Sequence, residues 1–505
     1  MLIRFPANVS LLRPGKQPFR YLDAPIRNAT EETQRKSSVT KPAPVADNHS
    51  PARKIAGFAA NLRYEDVPAR VQAFARHHIL DTLGTTLAAT HFDFAHRALS
   101  GANATCETGH ATVIGMAARL PLKDAALVNG ILAHGLDYDD THAEGPVHPS
   151  AAAFPCAFGL AEQLNRSGKE LITAYLLGVE TITRVGMAAN GMMHKSGFHT
   201  TGVAGHLGCA VTAARLLNLN TDQITWAQGL AGSTASAIGE FRTEGAWSKR
   251  IHAGWAAVGG IAAASLASSG FTGPEKVYEG EDGLLRSHTG AYFPETRVDA
   301  LTSELGTAWR AEEVAVKPYP ICHILHACVD AALVLKRKHH LQPGDIAEVR
   351  ALLHPETFAR VCTRPEVRRH PATEYIAKFS VYFTIAAALV RGRCGLAELE
   401  PDALQDPAIL AIADRVSYEA DAESQFPQYF SGGVVIRMKD GQTYTHIEKI
   451  NRGAGDRALT GDEIAAKFME NAELVMSRSR AERIRDCVLE LDRCSTHDFA
   501  RLLGA

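Results

Sequence analysis

The stretch HGLDYDDTHAEGPVHPS, residues 134–150, sets three histidines (His134, His142, His148), three aspartates (Asp137, Asp139, Asp140) and Glu144 between two apolar, helix-patterned runs. Charge held between core-forming helices is costly to bury, so water, cations elsewhere in the chain, a metal or a substrate must compensate it. A helix carried through the stretch would put His134, Asp137 and Thr141 on one face, at i, i+3 and i+7. Gly135, Gly145 and Pro146 argue instead for a helix that ends near 136–141 and a loop from His142 to His148. Pro149 and Ser150 then open the next helix.

Outward from there the pattern is helical. Ile55, Phe58, Ala59 and Leu62 recur at three- and four-residue spacing, and a second helix is expected over about 67–88. Segment 109–115 (GHATVIG) reads as one short strand. Further helices are expected at about 122–136, 149–164, 169–189, 200–217, 221–231, 248–270 and 273–279, dominated by Leu, Ala and Gly. This succession describes a large all-α domain over 52–312. The character changes near 313. Glu312–Lys317, Ile346–Leu353 and Val416–Glu419 have strand character, and 433–449 reads as a hairpin turning at Asp440-Gly441. With helices at about 324–338 and 375–391 they make a smaller α+β domain, 313–451. Residues 452–505 turn helical again and are expected to pack back on the first domain. The mainly α fold class follows. Residues 1–51 carry scattered prolines and no sustained period and read as a disordered extension. Its first 22 residues hold Arg4, Arg13, Lys16 and Arg20 and no acid, which leaves a mitochondrial presequence as the alternative to a cytoplasmic protein.

Composition removes several classes. A formal net charge of −2 over 505 residues offers no basic surface for nucleic acid. The nine cysteines are scattered without a C-x-x-C pair, which suggests reduced thiols and argues against an iron–sulfur cluster. The longest uncharged run, Ala253–Pro274, is mostly Ala, Gly and Ser and reads as a closely packed interior helix rather than a membrane span. No phosphate-binding Gly motif and no G-x-S-x-G is present.

Three more stretches can carry chemistry. In GFHTTG, 197–202, His199 precedes a helix expected to be capped by Thr200 or Thr201, where free amides attract anions. In WSKRIH, 247–252, Ser248 reads as the cap and puts Lys249 and Arg250 in the first turn. Cations there oppose the helix dipole, so an anion, or the acids of 137–144, should lie opposite. In KPYPICHILHAC, 317–328, Lys317 and Tyr319 are expected at a strand-to-helix junction with His326 pointing to a cleft. Cys322, His323, His326 and Cys328 do not share a helix face, so no zinc site is expected.

LDYDDTHAEGPVHPS, GFHTTGVAGHLG, WSKRIHAGWAA and VKPYPICHILHA, in this order, resemble the MmgE/PrpD family, whose members include 2-methylcitrate dehydratases, cis-aconitate decarboxylases and iminodisuccinate epimerases. The resemblance covers about residues 52–495. It implies a helical domain built from both chain ends, an α+β lid, a homodimer, and a site between the domains with no metal, cluster or organic cofactor. Carried over, the family's site positions fall on Asp137, Thr141, His148, His199, Lys249 and Lys317. Two departures count against decarboxylation: Thr141 is a tyrosine in some fungal decarboxylases, and a lid histidine of vertebrate decarboxylases falls on Cys322, with His323 beside it.

The family's reactions all develop negative charge beside a carboxylate. Lys249, Lys317 and the helix starts at 200 and 248 would hold carboxylates and absorb that charge. His148 and His199 would transfer protons, with Asp137 orienting a histidine or the substrate. Thr141, Tyr319, His326 and Arg250 complete the expected substrate contacts. The first reading is a hydro-lyase on an alkylcitrate-like di- or tricarboxylate. A cis-aconitate decarboxylase, an iminodisuccinate-like epimerase and a non-catalytic helical binding protein are the alternatives. Asp139, Asp140, His142 and Glu144 are read as structural hinge and rim.

Overall fold

The computed structural model describes residues 50–504. The extension and its basic start lie outside the described residues, up to position 49. Ser50 and Pro51 already belong to the first helix, Pro51–Asn61: the Ser50 hydroxyl accepts from the Arg53 amide at 3.3 Å, and proline sits in the first turn.

The larger core is helical. Ala69–Ala89, Leu122–His134, Ser150–Gln163, Gly168–Ala189, Thr200–Leu216, Thr221–Thr234 and Ser248–Ser268 follow the periodicity read from sequence, and Asp93–Asn103 is an addition. Small residues let these helices approach closely. A Cβ on Gly130 would lie 2.3 Å from the Gly254 Cα, and one on Gly208 would lie 2.3 Å from Ile182 Cγ1. The Ala/Gly-rich composition is thus the means by which these helices pack at backbone distance. Two helices, Gly168–Ala189 and Ser248–Ser268, are long and apolar enough to cross a bilayer; the first is buried throughout in this core. The segment 273–279 is turn rather than helix, because Gly273 is pressed against the Trp226 carbonyl and Val277 against Gly232.

The helices Gly461–Ala472, Arg478–Leu489 and Thr496–Leu503 return to this core through Phe468, Ile484 and Phe499. Lys467 draws the first of them inward. Its Nζ lies 2.6 Å from Asp81 and donates to the Tyr138 carbonyl at 3.1 Å.

A second core, drawn from residues 319–438, surrounds a four-stranded sheet. Its order is Val416–Ala420, Ile346–Leu353, Gly432–Met438, Thr443–Glu448, the first pair parallel and the others antiparallel. Gly441, at φ +89°, turns the hairpin as the Asp-Gly signal requires. The helix expected over 375–391 is interrupted. Glu374–Lys378 stops, and Ser380 caps a new helix, Val381–Arg391, by accepting from the Phe383 amide at 3.0 Å.

The strand expected at Glu312–Lys317 is only Val314–Ala315, and it does not join that sheet. It pairs antiparallel with Thr141–His142. The likewise reduced strand Ala111–Thr112 pairs with Arg119–Leu120. The Val314–Ala315 pairing fastens the 134–150 stretch to the start of the sheet-bearing part, and so sets Lys317 beside Asp137.

Candidate active site

Leu122–His134 ends where Gly135 intervenes, and the chain then turns through Asp137 at φ +56°. A left-handed conformation costs an aspartate about 1 kcal/mol or more, and such strain collects at working sites. Here it points the carboxylate at two cations. Lys249 Nζ pairs directly with Asp137 Oδ1; Lys317 Nζ lies 3.4 Å from the same oxygen and donates to the Asp137 carbonyl at 2.9 Å. Burial pushes the Asp137 carboxyl up, but Lys249 and then Lys317 overcome it and hold the group well below the carboxylate range. The same contact raises Lys249 against its own burial. The cations that open Ser248–Ser268 therefore meet acids: Lys249 meets Asp137, and Arg250 meets Glu374. Ser248 is the first helical residue rather than the cap.

Histidines form the opposite wall. His148 Nδ1 lies 2.8 Å from the Asp140 carbonyl, 3.2 Å from Thr141 Oγ1 and 3.7 Å from Asp139. A carbonyl only accepts, so Nδ1 carries the proton and Nε2 the lone pair. His199 faces His252, Nδ1 to Nδ1, at 2.9 Å, and stacks on His134 with ring centroids 5.5 Å apart. His134 in turn holds Asp139 at 2.6 Å. Burial depresses His148 to about 3, opposed by Asp139 and reinforced by Lys317 and Lys249. Burial, with His134 and Lys249, holds His199 well below its ordinary value. His148, His199 and His252 are thus poised neutral.

His199 itself flanks the helix Thr200–Leu216, and neither threonine caps it. Their hydroxyls tie loops instead: Thr200 Oγ1 meets His194 Nδ1 at 2.8 Å, and Thr201 Oγ1 accepts from the His148 amide at 3.1 Å.

Asp137, Thr141, His148, His199, Lys249 and Lys317 line one cavity of about 120 Å³, which opens past Pro146, His323 and Phe430 into a cleft of about 880 Å³. Three expected contacts do not reach it. Arg250 lies on Phe94, its guanidinium carbon 4.1 Å from the ring centroid, and pairs with Glu374. Tyr319 donates to Asp330 at 2.6 Å within the second core. His326 turns its Nε2 to the Ile321 carbonyl at 3.2 Å and is fully buried. Adjacent helical residues point about 100° apart, so Lys249 and Arg250 cannot share a face. The single 3-10 turn His323–Leu325 puts His323, and not His326, into the cavity. His323 is steadied by Asn451, 2.8 Å from Nε2. Cys322, His194, Arg242, Arg360, Phe241 and Phe379 also line the cavity and were not expected from motif spacing.

The acids beside the cavity divide by task. Asp140 receives His78 Nδ1 at 2.8 Å and the Ser150 hydroxyl, tying the start of Ser150–Gln163. His142 joins Glu313 at 3.1 Å, and Glu144 joins Arg297 at 2.7 Å. Asp139, read as hinge, lies closer in, against His134 and His148, and is held down by both against its burial. Among the described residues no group of three His, Cys, Asp or Glu side chains is arranged to hold a metal ion.

With this geometry in place, residues 53–296 match the MmgE/PrpD N-terminal domain and 319–493 the MmgE/PrpD C-terminal domain. The chain belongs to the MmgE/PrpD family. Similar MmgE/PrpD proteins span nearly its whole length. It is 28% identical to the cis-aconitate decarboxylase-like protein oryM of Aspergillus oryzae, over 89% of this chain and 96% of that protein. It is 26% identical to the cis-aconitate decarboxylase of Aspergillus terreus, over 87% and 93%. To the human cis-aconitate decarboxylase it is 30% identical, over 84% and 88%.

Proposed function

We propose that this MmgE/PrpD lyase decarboxylates a cis-aconitate-like tricarboxylate, the reading that the sequence alone put behind dehydration of an alkylcitrate. The observation that carries the chemistry is the pairing of Lys249 and Lys317 around Asp137, facing a wall of neutral histidines in one small cavity. The choice of reaction rests on the fungal and human relatives, which are named for cis-aconitate decarboxylation and align along most of the chain. Cys322 stands where a vertebrate histidine is expected, but His323 brings an imidazole into the same wall.

In such a reaction the C–C bond to the methylene-borne carboxylate breaks and CO₂ leaves. The electron pair shifts into the neighbouring C=C system and rests beside a remaining carboxylate, and carbon takes one proton. The trianion plus one proton gives CO₂ and an unsaturated dicarboxylate dianion. Lys249 and Lys317 stabilise the developing charge, each already fixed by Asp137 and so needing little reorganisation. Bound substrate brings negative charge to the histidines and raises their depressed affinity for protons. His148 presents a lone pair at Nε2 in its neutral form. His199, whose Nδ1 faces another imidazole, has its tautomer free and is the proton donor in this reading.

The reading includes a homodimer. Trp247, Ile251 and Trp255 recur every fourth residue along the start of Ser248–Ser268 and are 46%, 40% and 46% exposed, an apolar stripe that a second copy would cover.

The test is proton NMR in D₂O with the full chain and cis-aconitate or 2-methylcitrate. The expected result is CO₂ loss from cis-aconitate and a product bearing one deuterium at the new C–H. Alkene formation from 2-methylcitrate with no turnover of cis-aconitate would return the dehydratase reading. Unchanged turnover in both His199→Ala and Lys249→Ala would remove the site assignment.

A further inference from the structure

Two cations that line the cavity form no ion pair among the described residues. Arg242 stands on the short helix Phe241–Glu244 of the helical part, and Arg360 on Phe358–Val361 beside the sheet. Both line the 120 Å³ cavity, and Arg360 also lines the larger cleft into which it opens. Other cations around the site meet acids: Lys249 and Lys317 meet Asp137, Arg250 and Lys378 meet Glu374, and Lys467 meets Asp81. Among the described residues neither Arg242 nor Arg360 forms an ion pair, and each feels the other as a like charge, which with burial lowers Arg242.

Arg242 is also held in place. Its guanidinium folds over Gly239, where a Cβ would lie 2.2 Å from Nη2. The lining therefore holds four cations against one carboxylate, Asp137, with its histidines neutral, which leaves three positive charges uncompensated. Two like charges on opposite parts of one lining favour an anion between them.

We propose that Arg242 and Arg360 form a carboxylate subsite, closed from both sides of the cavity, that takes the third carboxylate of a tricarboxylate and selects it over dicarboxylates. The inference rests on the polycarboxylate reading above and sharpens its substrate class. Guanidinium forks bind carboxylates in bidentate fashion, whereas lysines act as point charges. The lysines deep in the cavity serve the reacting chain, and the arginines at its mouth hold the central carboxylate, which the reaction leaves in place.

The test is calorimetric titration of the full-length protein with tricarballylate, an unreactive saturated tricarboxylate, and with glutarate, which lacks its central carboxylate. Wild type is expected to bind tricarballylate at least tenfold more tightly. Arg242→Gln and Arg360→Gln should each weaken tricarballylate about 10- to 100-fold and change glutarate less than threefold. The double variant should bind the two acids alike. Both side chains are exposed, so the variants should fold, and an unchanged melting temperature checks this. A double variant that keeps its preference for tricarballylate overturns the subsite and leaves the decarboxylase reading standing. Equal loss of both acids also overturns it, since that is general attraction rather than a third contact. Wild type that binds neither acid sinks the polycarboxylate reading itself.

Discussion

Mild acid should destabilise this protein, and the structure sets the size of the effect. His148, His194, His252 and His326 are each depressed to about 3, burial being the largest cause in every case and neighbouring cations such as Lys249 and Lys317 adding to it. The folded state keeps them neutral, while the unfolded chain takes up protons near pH 6.5. Between those values the unfolded state binds more protons, so stability falls as pH falls through that window. At pH 5.5 each such histidine removes on the order of 1 kcal/mol, and the four together several kcal/mol. Asp81, Glu180 and Asp330 are pushed up by burial and act in the opposite direction. The opposing terms leave a net loss of roughly 3–6 kcal/mol, against a typical total of about 5–15 kcal/mol. In the absence of any acid ligand, Tm should drop by about 3–6 °C from pH 7.5 to 5.5. Scanning calorimetry across that range is the assay, and His326→Gln should flatten the dependence, because it removes a buried imidazole outside the cavity. A Tm that is level across the window would refute the reasoning.

Asp137→Asn keeps a side chain that tolerates the left-handed backbone but removes the charge between Lys249 and Lys317. It should cost about 3–5 kcal/mol in urea unfolding and lower kcat at least about 100-fold. His252→Ala should reduce kcat about tenfold with KM nearly unchanged, because His199 loses the group at its Nδ1; added imidazole should restore part of the rate. Trp255→Glu should convert a dimer to monomer in light scattering without lowering helix content by circular dichroism. Gly254→Val should prevent soluble expression, since the Leu127 carbonyl lies 2.2 Å from where its Cβ would sit.

The long helices were legible because each carries its own period, and their ends mostly lie within two or three residues of the reading. What failed were features decided by contacts distant in sequence. The pause at Phe379–Ser380 lets the Cys322 amide reach the Lys378 carbonyl at 2.9 Å, which no local pattern in 375–391 announces. The two-residue strand at 314–315 has meaning only through Thr141–His142, some 170 residues away. Arg242 and Arg360 sit on four-residue helices with no motif around them, so spacing could not nominate either.

The site was legible to the degree that its residues break local rules. A lysine in the first turn of a helix, an aspartate before a proline-rich loop and a histidine at a helix start each cost stability alone. Such costs persist where the fold sets them against one another, and the structure does this at Asp137, where one strained residue answers two lysines from different parts of the chain. Tyr319 and His326 broke no comparable rule, and Arg250 broke the same one as Lys249 but is answered by Glu374 outside the cavity. They were nominated by adjacency to such residues, and each is engaged away from the cavity, by Glu374, Asp330 and the Ile321 carbonyl. The criterion that separates the two groups is whether the side chain lines the cavity and, within that lining, whether its charge is paired. By that criterion the remaining uncompensated charge lies at Arg242 and Arg360, and a substrate with a third carboxylate is the species that would complete the site.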